Sequence, residues 1–248
     1  MKAVNSSIIS KEEAEALVSK VLSLESHWVS RNTYYGGVEV SASFPDFWTL
    51  GAAAYLDGPS AHTSQKTSVV SENFSGILAK VVEALSTMLD TEVFIDPKYS
   101  SPGFHIFKGR EGMPYGTAFG GALHKDYPHL TSEFPFSFDR DRPVTFTLVL
   151  SLPKNGGGMN YWIEDAQSEQ FIKGMKEVSA TYPNMPMVAQ EWVKVNRNYL
   201  EYKIGTLYVH DGQTLHQVAN EVPTFASDTR ITLQGHGVYR EEGLMIYL

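Results

Sequence analysis

The chain has 248 residues, a formal net charge of −8, 42% apolar residues and no cysteine. That length and apolar share fit one globular domain with a sizeable core, and the lack of cysteine excludes disulfides, thiolate nucleophiles, zinc knuckles and iron–sulfur clusters. The acidic balance, without any basic cluster, argues against a nucleic-acid surface.

Residues 1–7 hold no long apolar run, so no signal peptide is expected. No segment approaches the ~20 apolar residues of a membrane span. The expectation is a cytoplasmic protein that acts on a small molecule and on neither nucleic acid nor membrane.

Ser10-Lys11-Glu12-Glu13 is a capping-box pattern, and Ala14, Leu17, Val18, Val21 and Leu22 follow at helical spacing. This predicts a helix over 10–24. The stretch 31–68 is rich in Gly, Ser and aromatics and reads as short strands and loops, with an apolar piece at 47–56. A second helix is marked by Phe74, Ile77, Leu78, Val81, Val82, Leu85, Met88 and Leu89, with Ser71 as its expected cap. Such a stripe packs on a sheet.

Beyond residue 93 the pattern changes to short strands divided by Gly, Pro and Asp. Strands are predicted at 92–95, 104–108, 122–126, 144–150, 159–163, 199–202, 206–210, 215–219 and 230–238. Many short strands with turn signals point to a sandwich or barrel. A helical stretch at 166–178 interrupts them, inside a 164–190 insert. Tyr182-Pro183-Asn184-Met185-Pro186-Met187 in that insert disfavours a regular strand and suits an adaptable apolar lid over the site.

The chemistry-bearing residues fall on these strands. His124 and Asp126 are two apart, so on a strand both side chains share one face. His216 follows the turn Asp211-Gly212, and His210 precedes it. His129, past Pro128, is a weaker rival. Two imidazoles and a carboxylate suit a divalent iron with open positions. Arg230 opens an alternating strand on which Arg230, Thr232, Gln234 and His236 share a face. A buried cation there needs an anionic partner. The triplet Gly156-Gly157-Gly158 follows a strand but precedes another strand, so it is no phosphate loop. No Ser sits in a nucleophile elbow.

The order His124-x-Asp126, His216, Arg230 resembles that of the iron(II)/2-oxoglutarate-dependent oxygenases, in particular the prolyl-hydroxylase-like jelly-roll dioxygenases. The apolar strand 146–150 and the Gly-rich stretch that leads to Tyr161-Trp162 match the same pattern. The resemblance implies a mainly β fold with α: a double-stranded β-helix, or cupin-like jelly roll, buttressed by N-terminal helices. It implies one domain over 1–248, with helices and flanking strands in 1–99 and the catalytic core in 100–240.

It further implies iron(II) on His124, Asp126 and His216, with His210 as a lining residue. The distal carboxylate of 2-oxoglutarate would rest on Arg230 and Thr232, with O2 as the other co-substrate. The implied reaction is hydroxylation of an unactivated C–H bond of an amino acid or biosynthetic intermediate. The carboxylate of Asp126 favours this over halogenation, because related halogenases carry a small residue there. His105, Tyr127, Asn160, Trp162, His210 and His236 are candidate substrate contacts. The competing readings are a jelly-roll metalloenzyme that does not use 2-oxoglutarate, such as a cupin-type dioxygenase or isomerase, and a non-enzymatic ligand-binding jelly roll.

Overall fold

The computed structural model describes residues 3–30, 47–51, 68–99, 101–109, 126, 134–163, 197–219 and 225–247. The helix expected near the N-terminus is α1 (Lys11–Ser23), and its capping box forms in full. The Glu13 amide donates to Ser10 Oγ at 3.2 Å, and the Ser10 amide donates to the Glu13 carboxylate at 3.0 Å. Two amides that the first turn leaves without a helical partner are thereby satisfied.

The second helix, α2 (Ser68–Leu89), starts ahead of Ser71, which lies within its first turns and does not cap it. Phe74 departs from helical geometry (φ −130°), so the element bends there. The predicted stripe is the buried one: Phe74, Ile77, Leu78, Val81 and Leu85 are all in the core. The Phe74 ring packs on Phe104 at 4.5 Å. Among the described residues no helix is long and apolar enough to cross a membrane.

The strands are β1 (Val4–Ser7), β2 (Val29–Ser30), β3 (Phe47–Leu50), β4 (Val93–Phe94), β5 (Gly103–Lys108), β6 (Asp139–Ser151), β7 (Met159–Trp162), β8 (Arg197–Leu200), β9 (Thr206–His210), β10 (Leu215–Val218), β11 (Thr229–Arg240) and β12 (Gly243–Tyr247). Nine of them form a large sheet in the order β1-β9-β6-β11-β5-β3-β2, with β12 beside β11 and β4 beside β12. The other three form a small sheet, β10-β7-β8. Only the β12–β4 pairing is parallel among the described strands. The predicted strand at 199–202 lies two residues earlier, and β1 and β12 were not foreseen.

Period-two alternation sorts the large sheet into two unlike faces. Phe104, Ile106, Phe146, Leu148, Leu207, Val209, Ile231 and Leu233 share one face and one core cluster with Ala14, Val21, Val81 and Leu85 of the helices. Each of the Val, Leu, Ile and Phe side chains contributes about 1.5–3 kcal/mol on burial. The opposite face carries Thr145, Thr147, Tyr208, His210, Arg230, Thr232 and His236.

That polar face meets the small sheet. Val149 and Tyr208 cluster with Met159 and Tyr202, and the Tyr202 and Tyr208 rings stack at 4.4 Å. The result is a half-barrel with a jelly-roll core, helices outside and polar side chains inside.

Candidate metal centre and co-substrate pocket

The turn between β9 and β10 builds the first part of the site. Asp211 Oδ1 accepts from the amides of Gln213 and Thr214 at 3.1 and 3.2 Å, closing an Asx turn. The turn brings His210 and His216 edge to face, with ring centroids 5.2 Å apart. The Asp126 amide donates to the Gly212 carbonyl at 2.8 Å, which anchors the carboxylate-bearing segment to the same turn. One potential ligand atom from each of Asp126, His210 and His216 lies within 4.8 Å of the others. All three residues are largely shielded from solvent.

Gly212 is the joint of this arrangement. Its φ is +68°, and a Cβ there would stand 2.7 Å from Thr145 Oγ1 and 3.1 Å from Asp126 Cβ. Gly212→Ala is therefore expected to lose about 1–2 kcal/mol to backbone strain alone, and to push Asp126 away from His216. A thermal melt read beside a metal titration checks both effects.

The chemistry of the pair fits a cation. His216 Nδ1 donates to the Thr214 carbonyl at 2.8 Å, since a carbonyl can only accept. In the neutral ring Nε2 then carries the lone pair, and it faces Asp126 Oδ2 at 3.5 Å. Two electron-pair donors at that distance repel unless a proton or a metal ion stands between them. Two ligand atoms on perpendicular bonds of about 2.1 Å would stand about 3 Å apart, so little movement is required.

The second part of the site surrounds Arg230, which is 2% exposed. Its Nε donates to the Gly157 carbonyl at 3.0 Å. The rings of Phe107 and Tyr202 flank the guanidinium at 5.5 and 5.8 Å. The glycine triplet thus serves as a carbonyl platform. Gly157 has φ +85°, and its amide donates to the Ala219 carbonyl, tying β7 to the end of β10. Thr232 shares the Arg230 face through the regular pairing of β11 with β5. Its hydroxyl accepts from Gln234 Nε2 at 2.9 Å.

Burial pushes the Tyr202 phenol up to about 12, against the opposing pull of Arg230. Burial thus favours the neutral phenol, whose hydroxyl donates to Met159 Sδ at 3.6 Å.

His124, Tyr127, His129 and the 164–190 insert lie outside the described residues. His236 shares the inner face and its Nδ1 lies 3.1 Å from Thr145 Oγ1. His105 pairs with Thr232 on that face. Asn160 and Trp162 are placed differently. The β7–β10 register sets Tyr161 opposite His216, and Asn160 and Trp162 opposite Gln217 and Leu215. Directly opposed residues share a face, so Tyr161 stands on the His216 side and those two residues do not. Tyr161 and Tyr202 were missed as site residues. Alternation alone could not find Tyr161, because the signal is a cross-strand register.

No protein-family model matches the sequence, and no curated protein matches it either. Solved structures do match. The non-heme alpha-ketoglutarate-dependent epimerase SnoN from nogalamycin biosynthesis aligns with a TM-score of 0.51 at 13% identity, over 95% of this chain and 78% of that chain. The chain shares its jelly-roll fold with that epimerase. An N-substituted L-amino acid dioxygenase from Burkholderia ambifaria AMMD, in complex with alpha-KG, aligns over 99% of this chain and 86% of that one, at 16% identity and a TM-score of 0.44. A prolyl-4-hydroxylase from Pseudomonas putida aligns over 96% and 92%, at 13% identity and a TM-score of 0.41.

Proposed function

We propose that the protein is an iron(II)- and 2-oxoglutarate-dependent oxygenase that hydroxylates an unactivated C–H bond of a small molecule, an amino acid or a biosynthetic intermediate. In this reading His124, Asp126 and His216 hold the iron, and Arg230 with Thr232 holds the distal carboxylate of 2-oxoglutarate. The observation that carries it is the facing pair of lone-pair donors at Asp126 and His216, the latter on the small sheet, together with the buried guanidinium of Arg230 on the polar face of the large sheet. The first suits a divalent ion, and the second suits a dicarboxylate that reaches from it.

Iron bound there would supply the redox chemistry that couples decarboxylation of 2-oxoglutarate by dioxygen to oxidation of a C–H bond. The chain's own residues do the rest. Thr214 fixes the His216 ring through Nδ1, and Gly212 fixes Asp126 through its amide. Arg230 and the Thr232 hydroxyl orient the co-substrate, and the Phe107 and Tyr202 rings shield the guanidinium from water. Shielding strengthens a charged contact by lowering the local dielectric. The fold alone does not set the outcome of the reaction. The Asp126 carboxylate supports hydroxylation over halogenation, because related halogenases carry a small residue at the equivalent position.

An anaerobic titration of iron(II) and 2-oxoglutarate into the protein tests the reading. The expected result is a weak visible charge-transfer band that needs both additions. A metal-binding protein with no such band and no affinity for 2-oxoglutarate would instead be a cupin-type enzyme, and Arg230 would then need another anionic partner.

A further inference from the structure

Arg230 and Thr232, the residues assigned above to the co-substrate, both belong to β11 of the large sheet. The small-sheet side contributes Tyr202, which follows β8 in the chain. Its side chain is 5% exposed and clusters with Val149, Met159 and Tyr208 where the two sheets meet.

Cross-strand register fixes where the ring lies. Tyr202 stacks on Tyr208 at 4.4 Å. Tyr208 is opposite Thr147, and Thr147 is opposite Gln234. One step along the same face, His210 is opposite Thr145, and Thr145 is opposite His236. The metal turn therefore starts at the His236 level of the sheet, and Arg230 lies on the far side of Gln234 from it. Tyr202 covers the stretch between them. Two further observations agree. The ring flanks the Arg230 guanidinium at 5.8 Å, and the phenol feels both the Arg230 cation and the Asp126 carboxylate.

The phenol proton has a poor acceptor. Burial keeps it on the oxygen, and it is donated to Met159 Sδ at 3.6 Å. A thioether is a weak acceptor. A hydrogen bond to an ionised carboxylate is roughly twice as strong as a neutral one. The O–H turns about its own C–O bond, so the proton can change acceptors while the stacked ring stays in place.

We propose that Tyr202 is a third contact for the co-substrate: its hydroxyl leaves Met159 when 2-oxoglutarate binds and donates to the distal carboxylate held at Arg230. The inference rests on the iron and 2-oxoglutarate reading above. It makes the carboxylate site a joint product of both sheets, with Arg230 and Thr232 from the large one and Tyr202 from the chain that leaves the small one.

Two variants of the intact chain test this. Tyr202→Phe and Met159→Leu both remove the bond between the phenol and the thioether, but only the first removes the donor. Both are expected to bind nickel(II) with the parent's affinity. With nickel bound, calorimetry should show 2-oxoglutarate affinity about tenfold lower in Tyr202→Phe, the loss of one charge-assisted bond, and not lowered in Met159→Leu. An equal loss in both variants would mean that the phenol–thioether bond only props the pocket, and the proposal is overturned.

A second measurement reads the phenol itself. In spectra of zinc-loaded protein labelled at tyrosine Cζ, the Tyr202 resonance is assigned by its loss in Tyr202→Phe. It is expected to move when 2-oxoglutarate is added, and to stay in place with 2-oxovalerate, which has the same carbon chain without the distal carboxylate. A resonance that 2-oxoglutarate leaves unmoved overturns the proposal. Failure of the oxygenase reading looks different. A nickel-loaded parent that does not bind 2-oxoglutarate at all removes the reading and the proposal together, whereas binding that Tyr202→Phe does not weaken removes the proposal alone.

Discussion

Alanine at position 216 is expected to abolish metal binding, while alanine at position 210 leaves most of it. Both rings are buried and flank the same turn, so proximity does not separate them. Their hydrogen bonds do. The Thr214 carbonyl accepts from His216 Nδ1, an orienting contact of the kind that metal-bound histidines make with backbone carbonyls. Loss of such an outer contact costs roughly 10–100-fold in metal affinity, and loss of the ligand itself costs more. Anaerobic equilibrium dialysis with iron(II), or calorimetry with zinc, measures the difference. A thermal melt of each variant separates loss of the site from loss of the fold. If the His210 variant alone lost the metal, the two histidines would exchange roles.

Much of this fold can be read from local signals. The capping box at Ser10 and Glu13 involves residues three apart, and nothing elsewhere in the chain overrides it. The α2 stripe is legible because burial follows helical spacing directly. Arg230, Thr232, Gln234 and His236 alternate on β11, and the same alternation places them on the inner face. Other features lie beyond local reading. β1 contains Val4-Asn5-Ser6-Ser7, an exposed edge strand held by backbone pairing to β9 and not by an apolar face. β12 is a continuous run, Gly243-Leu244-Met245-Ile246-Tyr247, whose burial on both faces erases alternation. The site shows the same division. His216 and Arg230 can be named from motif order. That Tyr161 and not Trp162 shares the His216 face depends on pairing across β7 and β10, which no single strand encodes. That the glycine triplet supplies the carbonyl for Arg230 depends on a contact between residues 73 apart.

Arg230→Ala is expected to weaken 2-oxoglutarate binding by two orders of magnitude or more, with little change in metal affinity. A buried charged hydrogen-bonding group typically costs ~2–5 kcal/mol when removed from its partner. Here the guanidinium is already oriented. Nε donates to the Gly157 carbonyl, and the Phe107 and Tyr202 rings flank the guanidinium at 5.5 and 5.8 Å. In the proposed reading the terminal nitrogens meet the carboxylate as a fork. Lysine can supply the charge but not the fork together with the Gly157 bond, so Arg230→Lys should recover only part of the affinity. Thr232→Val removes one hydroxyl and should cost about 1 kcal/mol, a smaller loss that also leaves Gln234 without its acceptor. Calorimetric titration of 2-oxoglutarate into the nickel-loaded variants ranks the three. Alanine lowest, valine least affected and lysine between them is the order that the anchor requires. Unchanged affinity in the alanine variant would remove Arg230 from the co-substrate site. Metal affinity serves as the internal control, because the proposed role of Arg230 is toward the co-substrate and not the metal.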